Sequence, residues 1–172
     1  PGVGVGQRSS AGAKGLHLWT GEDDAGLADR DRPLAPRGHR AVKVMAKHLR
    51  DEKISPSLVL CSSARRTRET LEGVAPSGDV QIEDELYGAS ETDLLERLRR
   101  VPDAVDSVML IGHNPAMQEL AVSLAGGGER RGDVESKFPT GALATLTVPD
   151  QWPELRPGSA ELVAFVTPKE LR

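Results

Sequence analysis

The spacing of apolar residues changes repeatedly along the chain, and these changes predict its secondary structure. Residues 108–111 form a short, uninterrupted apolar run that has the length of a buried strand. Segment 117–124 instead has apolar residues at i, i+3, i+4 and i+7, which is the spacing of one helix face. Gly112 and Pro115 separate the two segments and indicate a tight turn. A buried strand, a turn and a helix are therefore predicted to follow one another here.

The same patterns predict strands and helices along the rest of the chain. Strands are predicted at 16–19, 57–61, 80–82, 108–111, 142–148 and 160–166. Helices are predicted from Pro36 to Arg50, from Ala64 to about Leu71 after the cap Ser62-Ser63, after the capping signal Ser90-x-x-Asp93, and after the N-cap Asn114. Segment 126–137 is predicted to be a glycine-rich, charged loop.

This order of strands and helices predicts a three-layer α/β/α sandwich with a mainly parallel central sheet. Residues 1–15 contain five glycines and are predicted to form a flexible N-terminal segment. Residues 16–172 are predicted to form a single domain, because no internal repeat or second domain is visible. In sheets of this kind ligands bind at the carboxyl ends of the strands.

Composition and charge restrict the class of function. The chain has 172 residues, of which 38% are hydrophobic and 28% are charged, so it can bury a substantial core. Its net charge of −4 gives no reason to expect binding to nucleic acid or to an acidic membrane surface. No apolar run approaches the ~20 residues of a membrane span, and a single cysteine allows no disulfide framework. We therefore expect a cytoplasmic protein that binds neither nucleic acid nor membrane.

Two strand-to-helix turns carry the candidate chemistry. His113 follows Gly112 at the end of a strand, where the positive end of the next helix favours an anion. Arg66 lies in the first turn of the helix after Ser62-Ser63, where a guanidinium can clamp a phosphate. The alternatives are a core histidine bonded to backbone and a solvated helix arginine. Both turns are predicted at one sheet edge, which makes a phosphate site the stronger interpretation.

Other site classes fit the sequence less well. The four histidines and one cysteine show no short metal-ligand spacing, so no metal is expected. No G-x-S-x-G nucleophile elbow occurs. Walker and dinucleotide-binding glycine patterns are also missing from the sequence.

Four motifs together resemble one known family. They are Asp31-Arg-Pro-Leu-x-x-Arg-Gly38, Leu60-Cys-Ser-Ser-Ala-Arg-Arg-Thr-Arg-Glu-Thr70, Ile111-Gly-His-Asn-Pro115 and Lys137-Phe-Pro-Thr-Gly-Ala142. In this order, over about residues 23–168, they are similar to the SixA-type branch of the histidine phosphatase superfamily. The resemblance implies a phosphoglycerate mutase-like fold.

The resemblance also implies a reaction and the roles of several residues. Such enzymes are metal-independent, need no cofactor, and pass the phosphoryl group through a phosphohistidine intermediate. The family's serine-x-x-x-arginine element falls on Ser62 and Arg66, and its second catalytic histidine falls on His113. Asn114, next to that histidine, is expected to contribute to phosphate binding. The implied substrate is a phosphohistidine protein or a small phosphomonoester.

The first strand departs from the family pattern, because no Arg-His pair occurs anywhere in the chain. The family's nucleophile is the histidine of that pair. Counting back without gaps from Asp31 places the nucleophile at His17, whereas aligning the apolar strand 16–19 places Thr20-Gly21 there. A third alternative is that residues 1–22 are not the native N-terminus.

These alternatives lead to different functions. With His17 as nucleophile the chain is expected to be a phosphatase that lacks one arginine. With Thr20-Gly21 at that position it is expected to be a phosphate-binding pseudoenzyme. Glu85 is a candidate general acid, although Glu83 and Asp84 are adjacent and all three fit a solvated turn.

Overall fold

A computed structural model describes residues 14–21, 30–149 and 151–171. The strands are β1 (Lys14–Thr20), β2 (Leu58–Ser62), β3 (Asp79–Glu83), β4 (Ser107–Gly112), β5 (Ala125–Gly127), β6 (Leu143–Val148) and β7 (Ala160–Val166). The α-helices are α1 (Pro36–Asp51), α2 (Arg65–Val74), α3 (Glu91–Arg99), α4 (Ala116–Leu124) and α5 (Arg131–Ser136). Short 3₁₀ segments lie at Asp84–Leu86, Trp152–Glu154 and Pro168–Leu171.

All the described strands form one sheet in the order β3-β2-β4-β1-β6-β7-β5. The strands β3, β2, β4 and β1 are parallel neighbours, and β6 joins them antiparallel to β1. β7 pairs antiparallel with β6, and β5 pairs parallel with β7. The prediction of a mainly parallel sheet is confirmed. The carboxyl ends of β2, β4 and β1 therefore lie side by side at one edge.

The two faces of the sheet are covered by different helices. One apolar cluster joins Leu16 and Leu18 of β1 to α3 and α4. The other joins Trp19 of β1 to Met45 of α1 and Leu71 of α2. Alternate residues of β1 thus enter opposite clusters, as the side-chain period of a strand requires. This arrangement is the predicted three-layer α/β/α sandwich.

Segment 126–137 differs from the predicted loop, because it contains part of β5 and all of α5. The guanidinium of Arg131 donates to the carbonyls of Ala125 and Val122, at 2.8 and 3.1 Å, and so holds α5 against the end of α4. Gly128 has a φ of +133°, and a Cβ there would lie 2.5 Å from the carbonyl oxygen of Leu162. The glycine allows a close backbone approach between segments.

The predicted N-terminal segment also needs a correction. Its last two residues, Lys14 and Gly15, belong to β1, and residues 1–13 lie outside the described residues. Lys14 is held in place because its ammonium group donates to the carbonyl of Asp103 at 2.7 Å. β1 begins two residues earlier than predicted, because the anchored residue Lys14 lies before the first apolar residue of the strand.

Two predicted helix caps differ from the observed ones. α2 follows Ala64 and α4 follows Pro115, and neither helix has a side-chain cap at that position. The Asn114 side chain still accepts a hydrogen bond from the backbone N–H of Gln118, at 3.3 Å. The predicted capping box at Ser90 and Asp93 is confirmed, with both of its hydrogen bonds present.

Candidate active site

The centre of the site is a hydrogen bond between His113 and Ser62. Ser62 is the last residue of β2, and His113 follows the last residue of the neighbouring parallel strand β4. His113 Nε2 lies 3.0 Å from Ser62 Oγ. Ser62 is fully buried and His113 is 6% exposed. Two residues predicted at one sheet edge are therefore in direct contact.

Arg66 lies four residues after Ser62, in the first turn of α2. Its side chain is fully buried, which excludes the alternative of a solvated helix arginine. The neighbouring arginines have other contacts. The side chain of Arg65 is 53% exposed, and its Nε lies 3.1 Å from the Glu69 carboxylate. Arg68 Nε donates to the carbonyl of Ser63 at 3.0 Å. A guanidinium is permanently charged, so the burial of Arg66 at the start of the helix that follows β2 makes it a candidate for anion binding.

Two further residues at this edge, Tyr87 and Arg30, were not predicted from the sequence. The ring of Tyr87 meets that of His113 edge-on, with centroids 5.9 Å apart and an angle of 80°. The Arg30 guanidinium lies 5.6 Å from the Tyr87 centroid and donates to Ser63 Oγ at 2.6 Å. Arg30 also forms an ion pair with Asp84. Tyr87 fixes one side of His113, and Arg30 brings a second guanidinium to the site.

Asp84 is held as an anion in this cluster. The hydrogen bond with Ser63 and the hydrogen bond and charge of Arg30 keep the pKa of its carboxyl below the usual range.

The sequence gives only weak signals for Arg30 and Tyr87. Position 30 adjoins the motif that begins at Asp31, and Tyr87 follows a strand at the same edge. Neither position predicts that Arg30 contacts Ser63 or that Tyr87 contacts His113.

The candidate acid Glu85 lies at the protein surface. Its side chain is 64% exposed and its carboxylate lies 3.9 Å from the guanidinium of Arg100. Its position in the 3₁₀ turn after β3 matches the alternative of a solvated turn.

The end of β1 decides which residue stands opposite His113. Thr20 pairs with Gly112, and the backbone N–H of Gly21 donates to the carbonyl of Gly112 at 2.8 Å. Gly21 thus lies beside the turn that carries His113. A Cβ at Gly21 would be 3.4 Å from Thr67 and 3.5 Å from the Gly112 carbonyl, which are ordinary contacts. β1 thus runs to Thr20, which favours the register that places Thr20-Gly21 at the position of the Arg-His pair.

His17 lies in the middle of β1 and not at its carboxyl end. It pairs with Met109 of β4, four positions before His113, so their backbones are offset by about 13 Å along the strands. Its Nδ1 lies 3.0 Å from Thr145 Oγ1, and its side chain is 4% exposed. Burial lowers the pKa of His17 to about 4. The structure does not bring the candidate nucleophile His17 together with Ser62 and His113.

The burial of His17 predicts a pH-dependent stability. Because its folded pKa is about 4 and its unfolded pKa is about 6.5, folding favours the neutral ring. This contribution is complete above the unfolded pKa and is lost as the pH falls towards the folded value. Between about pH 7.5 and about pH 5 the free energy of unfolding should fall by about 2 kcal/mol more in wild type than in His17→Gln. Denaturant titration measures this difference, and parallel pH profiles would show that His17 is not a buried neutral residue.

The Asn114 side chain is occupied by the protein itself. Its Nδ2 donates to the carbonyl of Phe138 at 2.6 Å, while its Oδ1 accepts from Gln118. The amide thereby joins the turn after His113 to segment 137–140. Its predicted contact with phosphate stays a prediction.

The described residues form neither a metal-ligand cluster nor a membrane-crossing helix. No three of their His, Cys, Asp and Glu side chains lie close enough together to hold a metal ion. None of their helices combines the length and apolar character needed to cross a bilayer.

Comparison with known proteins connects this geometry to a family. Residues 21–100 match the model of the histidine phosphatase superfamily (branch 1). An uncharacterized protein of Mycobacterium tuberculosis is 38% identical over 151 residues, which cover 84% of this chain and 94% of that protein. An uncharacterized protein of Mycobacterium leprae is 35% identical over 146 residues, with 83% and 91% coverage.

Solved structures give the same fold. A structure assigned as phosphohistidine phosphatase SixA of Nakamurella multipartitia is 30% identical, has a TM-score of 0.79, and is matched over 91% of this chain and 96% of that one. A second, assigned as SixA of Agrobacterium tumefaciens, is 27% identical with a TM-score of 0.73 and coverage of 90% and 98%. The similarity extends over almost the whole of each chain.

Proposed function

The chain belongs to the histidine phosphatase superfamily as a SixA-type phosphatase, and we propose that its substrate is a phosphohistidine protein or a small phosphomonoester. One observation carries this proposal. A buried arginine, Arg66, lies in the first turn of α2, four residues after Ser62, and Ser62 in turn contacts the buried His113 where the strands β2 and β4 end. A phosphoryl group that reaches this edge meets a permanent cation and the start of α2.

Each residue of the site has a distinct part in the proposed reaction. Arg66 binds two phosphoryl oxygens, because a guanidinium presents paired donors that match a phosphate. Ser62 orients the ring of His113, and His113 stabilises the charge that develops on the transferring group. Tyr87 restricts the His113 ring from the side. Arg30 lies at the entrance, between Ser63 and Tyr87.

The missing side chain at Gly21 changes the expected route of transfer. If Gly21 takes the place of the nucleophile, we propose direct attack of water on phosphorus at the carboxyl end of β1, beside the His113 turn. For a phosphohistidine substrate the P–N bond breaks and a P–O bond to the water oxygen forms. The water loses a proton, and the leaving imidazole takes one up. This route suits the labile P–N bond better than a phosphomonoester.

One observation favours a second candidate function. The pairing of Thr20 with Gly112 supports placing Thr20-Gly21 at the family's Arg-His position, and His17 is buried elsewhere in β1. A chain of this family without its nucleophile can bind a phosphorylated partner and leave the phosphoryl group in place. The phosphate site is the same in both candidates, and turnover separates them.

We also propose a cytoplasmic location. The single cysteine, Cys61, is a buried free thiol, and burial raises its pKa to about 12. An unreactive free thiol of this kind is typical of proteins from reducing compartments.

Two measurements on one preparation test the proposed function. Hydrolysis of a phosphohistidine peptide and of p-nitrophenyl phosphate is followed in the presence of a chelator, and binding of inorganic phosphate is followed by calorimetry. We expect phosphate binding together with release of phosphate from the peptide that exceeds the uncatalysed rate. Binding without release would establish the second candidate. Failure of both binding and release would refute the phosphate site.

A further inference from the structure

A wide cleft opens directly beside the active site. Its volume is about 980 Å³, and Asn114 and Pro115, which follow His113, form part of its wall. The opposite walls come from the start of α1, from segment 136–140 and from segment 167–169. His113 itself lines a smaller cavity of about 280 Å³ that shares Asn114 and Pro115 with the cleft, so a substrate whose phosphoryl group lies at His113 has the cleft as its neighbour.

The charged residues of the cleft are all cationic. Of the described residues that line it, Arg37, Lys137 and Lys169 are basic and none is Asp or Glu. The whole chain has 22 basic and 26 acidic residues, so a lining with three cations and no acid departs from the average. The cleft thus carries positive charge on a protein whose net charge is negative.

Among the described residues, these three cations form no ion pair that would stabilise the fold. All three are exposed, and none has a carboxylate oxygen within 4.0 Å in the described part of the chain. The nearby Arg130 is different, because it forms ion pairs with Asp133 and Glu170. Cations that stabilise this region are therefore paired, and those that face the cleft are left to meet a ligand.

The cleft is physically joined to the catalytic turn. Asn114 Nδ2 donates to the carbonyl of Phe138, and the backbone N–H of Lys137 donates to the carbonyl of Asp133 at 2.9 Å. Lys137 is thus held between α5 and the residue next to His113. The backbone that carries Lys137 is thereby tied to the residue that follows His113.

We infer that this cleft binds an acidic segment of a phosphorylated protein, next to the phosphorylated residue in the active site. The inference rests in part on the proposed function, since it assumes that the phosphoryl group lies at His113. The three cations come from separate elements and are exposed, so they suit several carboxylates spread along a chain. The chain already offers a small anion a buried cation at Arg66, whereas the three cleft cations are solvated and lie on separate elements. The volume is at the upper end for small-molecule pockets, which also favours a peptide segment.

Binding of matched peptides tests this inference without requiring turnover. Two fluorescent phosphohistidine peptides of equal length carry either glutamates or glutamines beside the phosphorylated residue, and unphosphorylated versions serve as references. Fluorescence anisotropy at low salt should give about tenfold tighter binding of the glutamate peptide to wild type, equivalent to about 1.4 kcal/mol. High salt should reduce this preference, because exposed charges are screened.

Two double variants separate the cleft from the overall charge. Lys137→Gln with Lys169→Gln should lose most of the glutamate preference. Lys43→Gln with Arg50→Gln changes the net charge equally at exposed positions outside the cleft, and should keep the preference. Equal loss in both variants would overturn the inference in favour of general electrostatic attraction. The same Kd for the glutamate and glutamine peptides would overturn it directly.

The effect of the phosphoryl group on peptide affinity distinguishes a failure of the cleft inference from a failure of the proposed function. Tighter binding of phosphorylated than of unphosphorylated peptides, with no glutamate preference, supports the phosphate site and removes the cleft inference. A glutamate preference that is lost in the Lys137–Lys169 variant but is the same with and without the phosphoryl group supports the cleft as an acidic-peptide site. That result would contradict the proposed placement of phosphate at His113.

Discussion

Replacing Gly21 with histidine is expected to raise phosphatase turnover at least about tenfold and to create a phosphoenzyme. The reason is positional, because the N–H of Gly21 bonds to the carbonyl of Gly112 and the residue lies beside the His113 turn. A Cβ at this position meets only ordinary contacts at 3.4 and 3.5 Å. A neutral imidazole there can attack phosphorus, which divides one difficult step into two easier ones. The gain should stay below that of a complete Arg-His pair, because Thr20 supplies no guanidinium and one lost donor costs about 10²–10³ in rate.

The measurement combines steady-state hydrolysis of p-nitrophenyl phosphate with acid quenching of the enzyme on a radiolabelled substrate. An acid-labile, base-stable label on the protein identifies phosphohistidine. Gly21→Gln is the matched control, since glutamine has a similar size and cannot form this intermediate. A folded Gly21→His variant that still binds phosphate but carries no label would contradict the placement of Gly21 at the nucleophile position.

Replacing Arg66 with lysine is expected to weaken phosphate binding and to lower any turnover by about 10²–10³. Lysine keeps the charge but loses the paired, planar donors that hold two phosphoryl oxygens. Lysine is also preferable to alanine as a test, because Arg66 is fully buried and truncation would leave a cavity. Arg65→Lys is the matched control, one position earlier on α2 and bonded to Glu69 at the surface.

Calorimetry with inorganic phosphate, kcat/KM and the melting temperature are measured on both variants. Arg66→Lys should lose phosphate affinity with little change in melting temperature, and Arg65→Lys should match wild type in all three. Unchanged phosphate affinity in Arg66→Lys would remove Arg66 from the site. A loss in melting temperature without a loss of affinity would assign Arg66 a structural role.

The strand ends that carry Ser62 and His113 could be predicted from local patterns. Both residues follow apolar runs typical of buried strands, which predicts one sheet edge for both, whereas their contact also requires that β2 and β4 be neighbours. Alternation in β1 likewise predicts that Leu16 and Leu18 face one way and Trp19 the other. These features depend on periods of a few residues, which a single chain displays directly.

The rest of the site depends on pairings between distant segments. Tyr87 reaches His113 across 26 positions and Arg30 reaches Ser63 across 33, and no local pattern encodes either contact. Whether His17 could be the nucleophile depended on where β1 ends, because the family's nucleophile lies at the carboxyl end of the first strand. That end is set by pairing of Thr20 with Gly112, which becomes visible only when β1 and β4 lie side by side.

A structure of the protein bound to tungstate or orthovanadate tests the central claim most directly. Both anions imitate a phosphoryl group, and the claim is that such a group binds where β2 and β4 end. We predict one anion in contact with the Arg66 guanidinium and the His113 ring, with Gly21 on its open side and His17 remote from it. An anion found only among Arg37, Lys137 and Lys169, or no anion in the Arg66–His113 site at saturating concentration, would contradict the claim.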